Sequence, residues 1–320
     1  MWDFRFGRAL GMMLRTLPFV VLRLAVFAAI GTAYLVAIGT GAAVGYGLAR
    51  VFAGGGEGGA FLGGALGFGI VSVVLYLARE YLLYLVKAAH IAVLVELYDG
   101  RDVPAGTSQL SYGSHFVKTH FAESSVLFGV DQIIKAILRT VFGSVNFIAS
   151  FLPVPGLQGV LNLAEKVVRL SLTYVDEIIL AYLIRTRTTN PWATAQDGLI
   201  LYAQNYKHFL KNALWLAVFL WLLTAAIFVV LLAPAAGLAA LIPGNLWLFG
   251  FALALILALS LKAALLEPIA IAALMEVYFK TIAGQTPDPE WSAKLDQLSA
   301  KFRDLGSRAA RWPSPAGTAA

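Results

Sequence analysis

Ala213-Leu-Trp-Leu-Ala-Val-Phe-Leu-Trp-Leu-Leu-Thr-Ala-Ala-Ile-Phe-Val-Val-Leu-Leu232 carries no charged residue, and the charge-free run that it opens reaches Leu261, 49 residues in all. Crossing the hydrocarbon core of a bilayer takes about 20 residues in helical form. The run is therefore long enough to cross twice, reversing between Ala233-Pro and Pro243-Gly-Asn245. Leu24–Leu48, with 25 uncharged residues, and Gly59–Ala78, with 20, extend the pattern toward the N-terminus. These runs predict an all-α, polytopic membrane protein.

Composition agrees. Of 320 residues, 59% are apolar and 13% charged, and the mean hydropathy is +0.77. Soluble domains hold roughly 45–50% apolar and about 25% charged residues. With no cysteine, disulfides, thiolate metal sites and cysteine nucleophiles are excluded. The formal charge of +6 needs no nucleic acid, because a membrane protein retains Lys and Arg on its cytoplasmic side. The N-terminal Met1-Trp-Asp-Phe-Arg-Phe-Gly-Arg8 reads as retained protein, since the apolar run after it is too long for a signal-peptide core.

Working outward, the chain divides into three helix hairpins, six membrane segments in total. The first is Pro18–Arg50, a tip at Gly54-Gly-Gly-Glu-Gly-Gly59, and Gly59–Tyr98. The second is Ser125–Phe151, a tip at Leu152-Pro-Val-Pro-Gly156, and Leu157–Arg187. The third is Ala213–Leu232, its tip, and Leu246–Lys280. Glycine and proline stand where the chain must reverse. Ala92-Val-Leu-Val-Glu-Leu-Tyr98 resembles Ala272-Ala-Leu-Met-Glu-Val-Tyr278, which suggests a pseudo-threefold repeat of hairpin plus amphipathic segment. The expected divisions are an N-terminal amphipathic helix (1–16), three repeats (17–123, 124–211 and 212–311) and a disordered tail (312–320). The return segment of the middle hairpin is the shortest, so its tip is a candidate re-entrant element, tolerated only when buried in protein or lining water.

Fifteen of the 24 Lys and Arg residues fall in the N-terminal segment and the stretches 99–123, 185–211 and 280–320, against Arg50 alone at the hairpin tips. Both termini and all amphipathic segments are thus expected in the cytoplasm, with the cell membrane as the site. Trp291, Leu295, Leu298, Phe302 and Leu305 continue at alternating spacings of four and three to Trp312, one helical face. Trp192, Ala195, Leu199, Tyr202, Tyr206 and Phe209 form a second such face, and Trp2, Phe6, Leu10, Met13 and Leu17 a third. Each face suits either the lipid interface or a partner helix. The expected partners are the lipid bilayer, a cytoplasmic or membrane protein, or a second copy of the chain. No cofactor, metal site or nucleic acid is expected.

Gly59–Tyr98 predicts one continuous helix running past the membrane, and Pro268 predicts a kink or local break in Leu246–Lys280. Matching the repeats sets Lys87 opposite Glu267, and His90 opposite Glu177 beside Asp176. The middle hairpin adds Asp131, Lys135 and Arg139 on one helix, and Glu165 and Arg169 on the other. Ionisable groups at membrane depth are costly and face a partner or a water-filled path. These ten residues are either a site for a substrate, ion or proton, or ion pairs that hold a helical bundle together. Gly41/Gly45 and Gly59/Gly63/Gly67 have the spacing of close helix packing, within the first hairpin or between two copies. No P-loop, HExxH or GxSxG is present, so an enzyme is not expected. Two functions remain open: a transporter, channel or lipid-handling protein with a polar path through the middle hairpin, or a scaffold binding partners through its cytoplasmic helices.

Overall fold

The computed structural model describes residues 2–53, 56–104, 106–120, 124–141, 172–187, 189–240 and 247–313. Among these it is all-helical, 88% helix with no strand. The helices are α1 (Phe6–Arg15), α2 (Leu17–Ala53), α3 (Glu57–Tyr98), α4 (Gln109–His120), α5 (Ser124–Val141), α6 (Val175–Thr186), α7 (Pro191–Gln204), α8 (Tyr206–Ala240), α9 (Trp247–Leu261), α10 (Glu267–Thr281), α11 (Pro289–Leu298) and α12 (Ala300–Arg311). A 3-10 turn, Leu172–Tyr174, leads into α6, and a π-helical turn, Lys262–Leu266, joins α9 to α10. The tip of the middle hairpin, its re-entrance, and Glu165 and Arg169 lie outside the described residues.

Three described helices are long and apolar enough to cross a membrane: Leu17–Phe52, Tyr206–Gly237 and Leu253–Thr281. Their outer faces leave large apolar side chains such as Val51, Phe52, Leu222 and Val230 uncovered, a surface suited to lipid contact. The chain divides into two units, Phe19–Val86 and the remainder. In the smaller unit, Gly41 and Gly45 of α2 lie against Gly59 and Gly63 of α3, and a Cβ on any of these four would collide with a backbone carbonyl across the seam. Gly67 Cα approaches the same seam 3.4 Å from where a Gly41 Cβ would stand. The glycines pack within the hairpin because only hydrogen at Cα allows that approach.

The larger unit buries α6, α7 and α10 almost completely, together with the last turns of α3 from Ala88 to Leu97. Tyr278 stands at the centre of this core, its ring 5.3 Å from that of Phe209 and 5.9 Å from that of Tyr182. Its buried hydroxyl donates to the Gly198 carbonyl at 2.9 Å, so the polar tip keeps a partner after leaving water. In the same unit α8 and α9 pack as a hairpin, with Phe228 and Phe251 ring centroids 5.2 Å apart.

Local chemistry sets the helix ends. Asn190 and Asp288 cap α7 and α11, accepting from the Ala193 N–H at 3.1 Å and the Glu290 N–H at 2.8 Å, each with proline at the first helical position. α3 closes on Gly100 at φ +77°, where the Gly100 N–H donates to Leu97 O at 3.2 Å and the Arg101 N–H to Glu96 O at 2.9 Å. That Schellman pattern needs the left-handed conformation glycine adopts freely.

Several boundaries differ from the sequence expectation. α3 is continuous from Glu57 to Tyr98, as expected. α8 does not stop at Leu232. It runs through Pro234 to Ala240, accepting the loss of one backbone hydrogen bond within an otherwise apolar segment. It also begins at Tyr206, so Phe209 belongs to this long helix, and Asn205 breaks it from α7. Around Pro268 the helix stays continuous, and the irregularity falls one turn upstream as the π turn. The proline supplies no N–H for the Ala264 carbonyl, and a widened turn accommodates that gap. The C-terminal face spans two helices, because Ser299 ends α11 in extended backbone and caps α12 by accepting from the Phe302 N–H at 3.2 Å.

Candidate functional site

Five of the ten ionisable candidates meet in the larger unit. Lys87 Nζ is 2.6 Å from Glu177 Oε1, which ties the end of α3 to the first turn of α6. Lys135 on α5 reaches Asp131 one turn away at 2.7 Å and Asp176 on α6 at 3.5 Å. Asp131, Asp176 and Glu177 are all buried. The 3-10 turn before Val175 presents both acidic residues of α6 at its N-terminus, where the helix dipole favours negative charge.

Glu267 extends the series. It lies close enough to Lys87 to act on it electrostatically, and it accepts from Lys262 Nζ at 3.3 Å. Lys262, on the π turn, also lies 3.4 Å from the Tyr174 hydroxyl and 5.3 Å from the centre of the Trp221 ring. Lys262–Glu267 and Lys87–Glu177 are direct pairs, and Lys135 bridges Asp131 and Asp176. The longer-range attraction between Glu267 and Lys87 links these pairs into a ladder of alternating charge. The His90 ring sits in the core with Nε2 hydrogen-bonded to Thr16 Oγ1 at 2.8 Å. Arg139 lies exposed in the last turn of α5. Lys262 was absent from the sequence-derived set, although a lone lysine directly after 49 uncharged residues and five before Glu267 is a usable signal.

A second ionic network was also missed. Glu276, fully buried, is held by Arg5 Nε at 3.0 Å, by Lys280 at 2.6 Å and by Arg8 at 3.6 Å. Glu96 accepts from Arg101 and, at 3.0 Å, from Arg187. Arg185 pairs with Asp99 at 2.9 Å and covers the Phe279 ring at 4.4 Å. Arg8 sits 4.8 Å from the centre of the Tyr98 ring and donates to the Tyr98 carbonyl at 2.9 Å. All four basic stretches of the sequence, 1–16, 99–123, 185–211 and 280–320, thus contribute to one connected network. Nearby, the Asn212 amide and the Lys211 ammonium hydrogen-bond the Asp3 carboxylate and hold it below the usual carboxylate range.

The amphipathic faces turn inward in part: Trp2, Phe6 and Leu17 of the N-terminal face stay exposed. Leu295, Phe302 and Leu305 are fully buried, in a layer where α12 packs on α7 and α5 and α11 packs on α7. At these three positions the chain's own helices cover the face. Leu298, at the break between the two helices, remains exposed, and Trp291 stacks edge-on to Tyr206 at 5.6 Å. Trp312 Nε1 donates to Thr189 O at 2.7 Å and Asn190 Nδ2 to Ala309 O at 2.9 Å, fastening α12 beside the start of α7. Ala195, Leu199 and Tyr202 are buried likewise, and α1 packs on α10. Comparison of the chain with protein-family models, with curated proteins and with solved structures returned no match.

Proposed function

We propose that this chain is a multi-pass cell-membrane protein that transports a small polar solute or ion along the charged ladder, as a transporter, channel or lipid-handling protein. The observation that carries this reading is the burial of Asp131, Asp176 and Glu177 beside two lysines from different helices. Buried ion pairs are a weak source of stability, because desolvation offsets most of their attraction. Intramembrane ionisable residues most often mark a pathway. The scaffold alternative loses its best candidate surface, because Leu295, Phe302 and Leu305 are covered by α5 and α7.

The topology belongs to the same proposal. The ionic network around Glu96 and Glu276 draws on every basic stretch of the chain. A chain that returns to one network after each long apolar excursion favours three hairpins, with both termini on that side. The basic excess favours the cytoplasm for that side. Glu96 and Glu276, matched by sequence, each sit buried among cations from elsewhere in the chain, which supports the repeat.

The test is flux in reconstituted vesicles, with three readouts: a trapped pH dye, potassium release, and transbilayer movement of a fluorescent phospholipid. At least one should exceed protein-free vesicles and fall when Lys135→Gln or Asp176→Asn is introduced into protein that remains folded. Background flux in all three with folded wild-type protein rejects the proposal.

A further inference from the structure

Glu177 places its two carboxylate oxygens in different circumstances. Oε1 accepts from Lys87 at 2.6 Å, whereas no donor among the described residues reaches Oε2, although it is buried. The neighbouring Asp176 carboxyl lies within hydrogen-bond reach of Glu177. Two carboxylates repel at that range, and neither can donate to the other unless one carries a proton. Among the described residues, the cation that reaches Asp176 is Lys135 at 3.5 Å, and Lys135 is already engaged with Asp131 at 2.7 Å.

We propose that Asp176 and Glu177 form a proton-binding site in which a single exchangeable proton, carried by Asp176, is donated to the Glu177 carboxylate. Glu177 is the better compensated of the two through Lys87, so the proton resides on Asp176. Proton loss to water leaves two adjacent carboxylates. Lys135, poised between Asp131 and Asp176, then has reason to exchange one for the other. The site thereby couples protonation to a change of partner between α5 and α6. Among the described residues, the groups around the pair are Lys87 on α3, Asp131 and Lys135 on α5, Glu267 on α10 and Tyr174 in the 3-10 turn, with Lys262 on the π turn beyond Tyr174 and Glu267. The proposal rests on the transport reading for its role, with the proton as the coupling ion.

Infrared difference spectra of the purified full-length protein in lipid nanodiscs, recorded across pH in H2O and D2O, provide the test. A protonated-carboxyl band sensitive to D2O should be present at about pH 7 and absent in Asp176→Asn. Lys135→Met should move its midpoint upward and Asp131→Asn, which frees Lys135 for Asp176, downward, each by about one pH unit or more, the usual effect of a charge at this range. Size-exclusion profiles and melting curves establish that each variant is folded. The proposal is overturned if the band is missing from wild type, if it survives in Asp176→Asn, or if sodium ions at fixed pH abolish it, which would assign the site to an alkali cation. The band reports proton occupancy with no solute moving. Its absence leaves the transport reading standing, and absent flux with the band intact removes transport but not the site.

Discussion

Lys87 Nζ and Glu177 Oε1 stand 2.6 Å apart, with Glu177 almost wholly withdrawn from solvent and Lys87 about one-third exposed along its side chain. Most of the penalty for breaking the pair therefore falls on the carboxylate. Removing one partner of a buried pair costs about 3–5 kcal/mol, because the other is left as an uncompensated charge. Lys87→Met should lower the unfolding free energy by that much in denaturant titrations. Lys87→Met with Glu177→Met should recover a large part of it. Equal loss in the single and double variants would show that the two residues act independently.

The glycine seam gives a contrast of opposite sign. A Cβ at Gly45 would collide with the Gly59 carbonyl, whereas one at Gly47, two residues on, meets nothing within 4 Å. Alanine improves helix propensity at both sites by about 1 kcal/mol, but crowding a packed interface costs roughly 1–3 kcal/mol. Gly45→Ala should therefore destabilise the hairpin while Gly47→Ala leaves it unchanged or firmer. Unfolding midpoints in mixed detergent distinguish them, and indistinguishable midpoints would remove the seam from the packing account.

How much of this was legible follows from how local each signal is. Charge-free runs and the uninterrupted helix through Lys87 are properties of consecutive residues, so they could be read directly. The spacing of Asp131 and Lys135 announced their contact for the same reason. Arg5 and Glu276 are 271 positions apart, and nothing in either neighbourhood names the other. Counting basic residues by segment grouped Arg5 with the other basic stretches without revealing which carboxylate it meets. Pro234 misled because a proline that ends a helix in water can stay inside one where the alternative is an unsolvated backbone. The inward turn of Leu295, Phe302 and Leu305 was illegible because an amphipathic period shows that a face is covered, not what covers it.

Ser299 is the single residue that separates the two C-terminal helices. Its hydroxyl accepts from the Phe302 N–H at 3.2 Å and the residue is buried. Replacing such a cap by alanine typically costs about 1 kcal/mol. Ser299→Ala should loosen α12 from α7 first, exposing Arg303 and Arg308 to trypsin earlier than sites elsewhere. Cleavage that begins instead in the stretch 99–104 would show that α12 is not the element the cap secures.

Acid should release the N-terminal segment before it unfolds the core. The Asp3 carboxylate accepts from Asn212 Nδ2 at 2.8 Å and pairs with Lys211 at 2.9 Å, and its pKa is depressed below the ordinary aspartate value. A depressed carboxylate stabilises the folded arrangement fully above its unfolded pKa and loses that contribution as pH falls through the folded value. His208, 3.6 Å from the same carboxylate, strengthens the attraction when it carries a proton. The contact should therefore hold down to mildly acidic pH and fail only below the normal aspartate range. The effect should be small, because an exposed pair is screened by solvent. Trp2 lies 6.4 Å from Trp215 in an edge-on pair, so tryptophan emission reports the release. Asp3→Asn should shift that emission already at neutral pH and abolish its acid transition. An acid transition that persists unchanged in Asp3→Asn would assign it to another carboxylate, with Glu276 beneath Arg5 and Arg8 the next to replace.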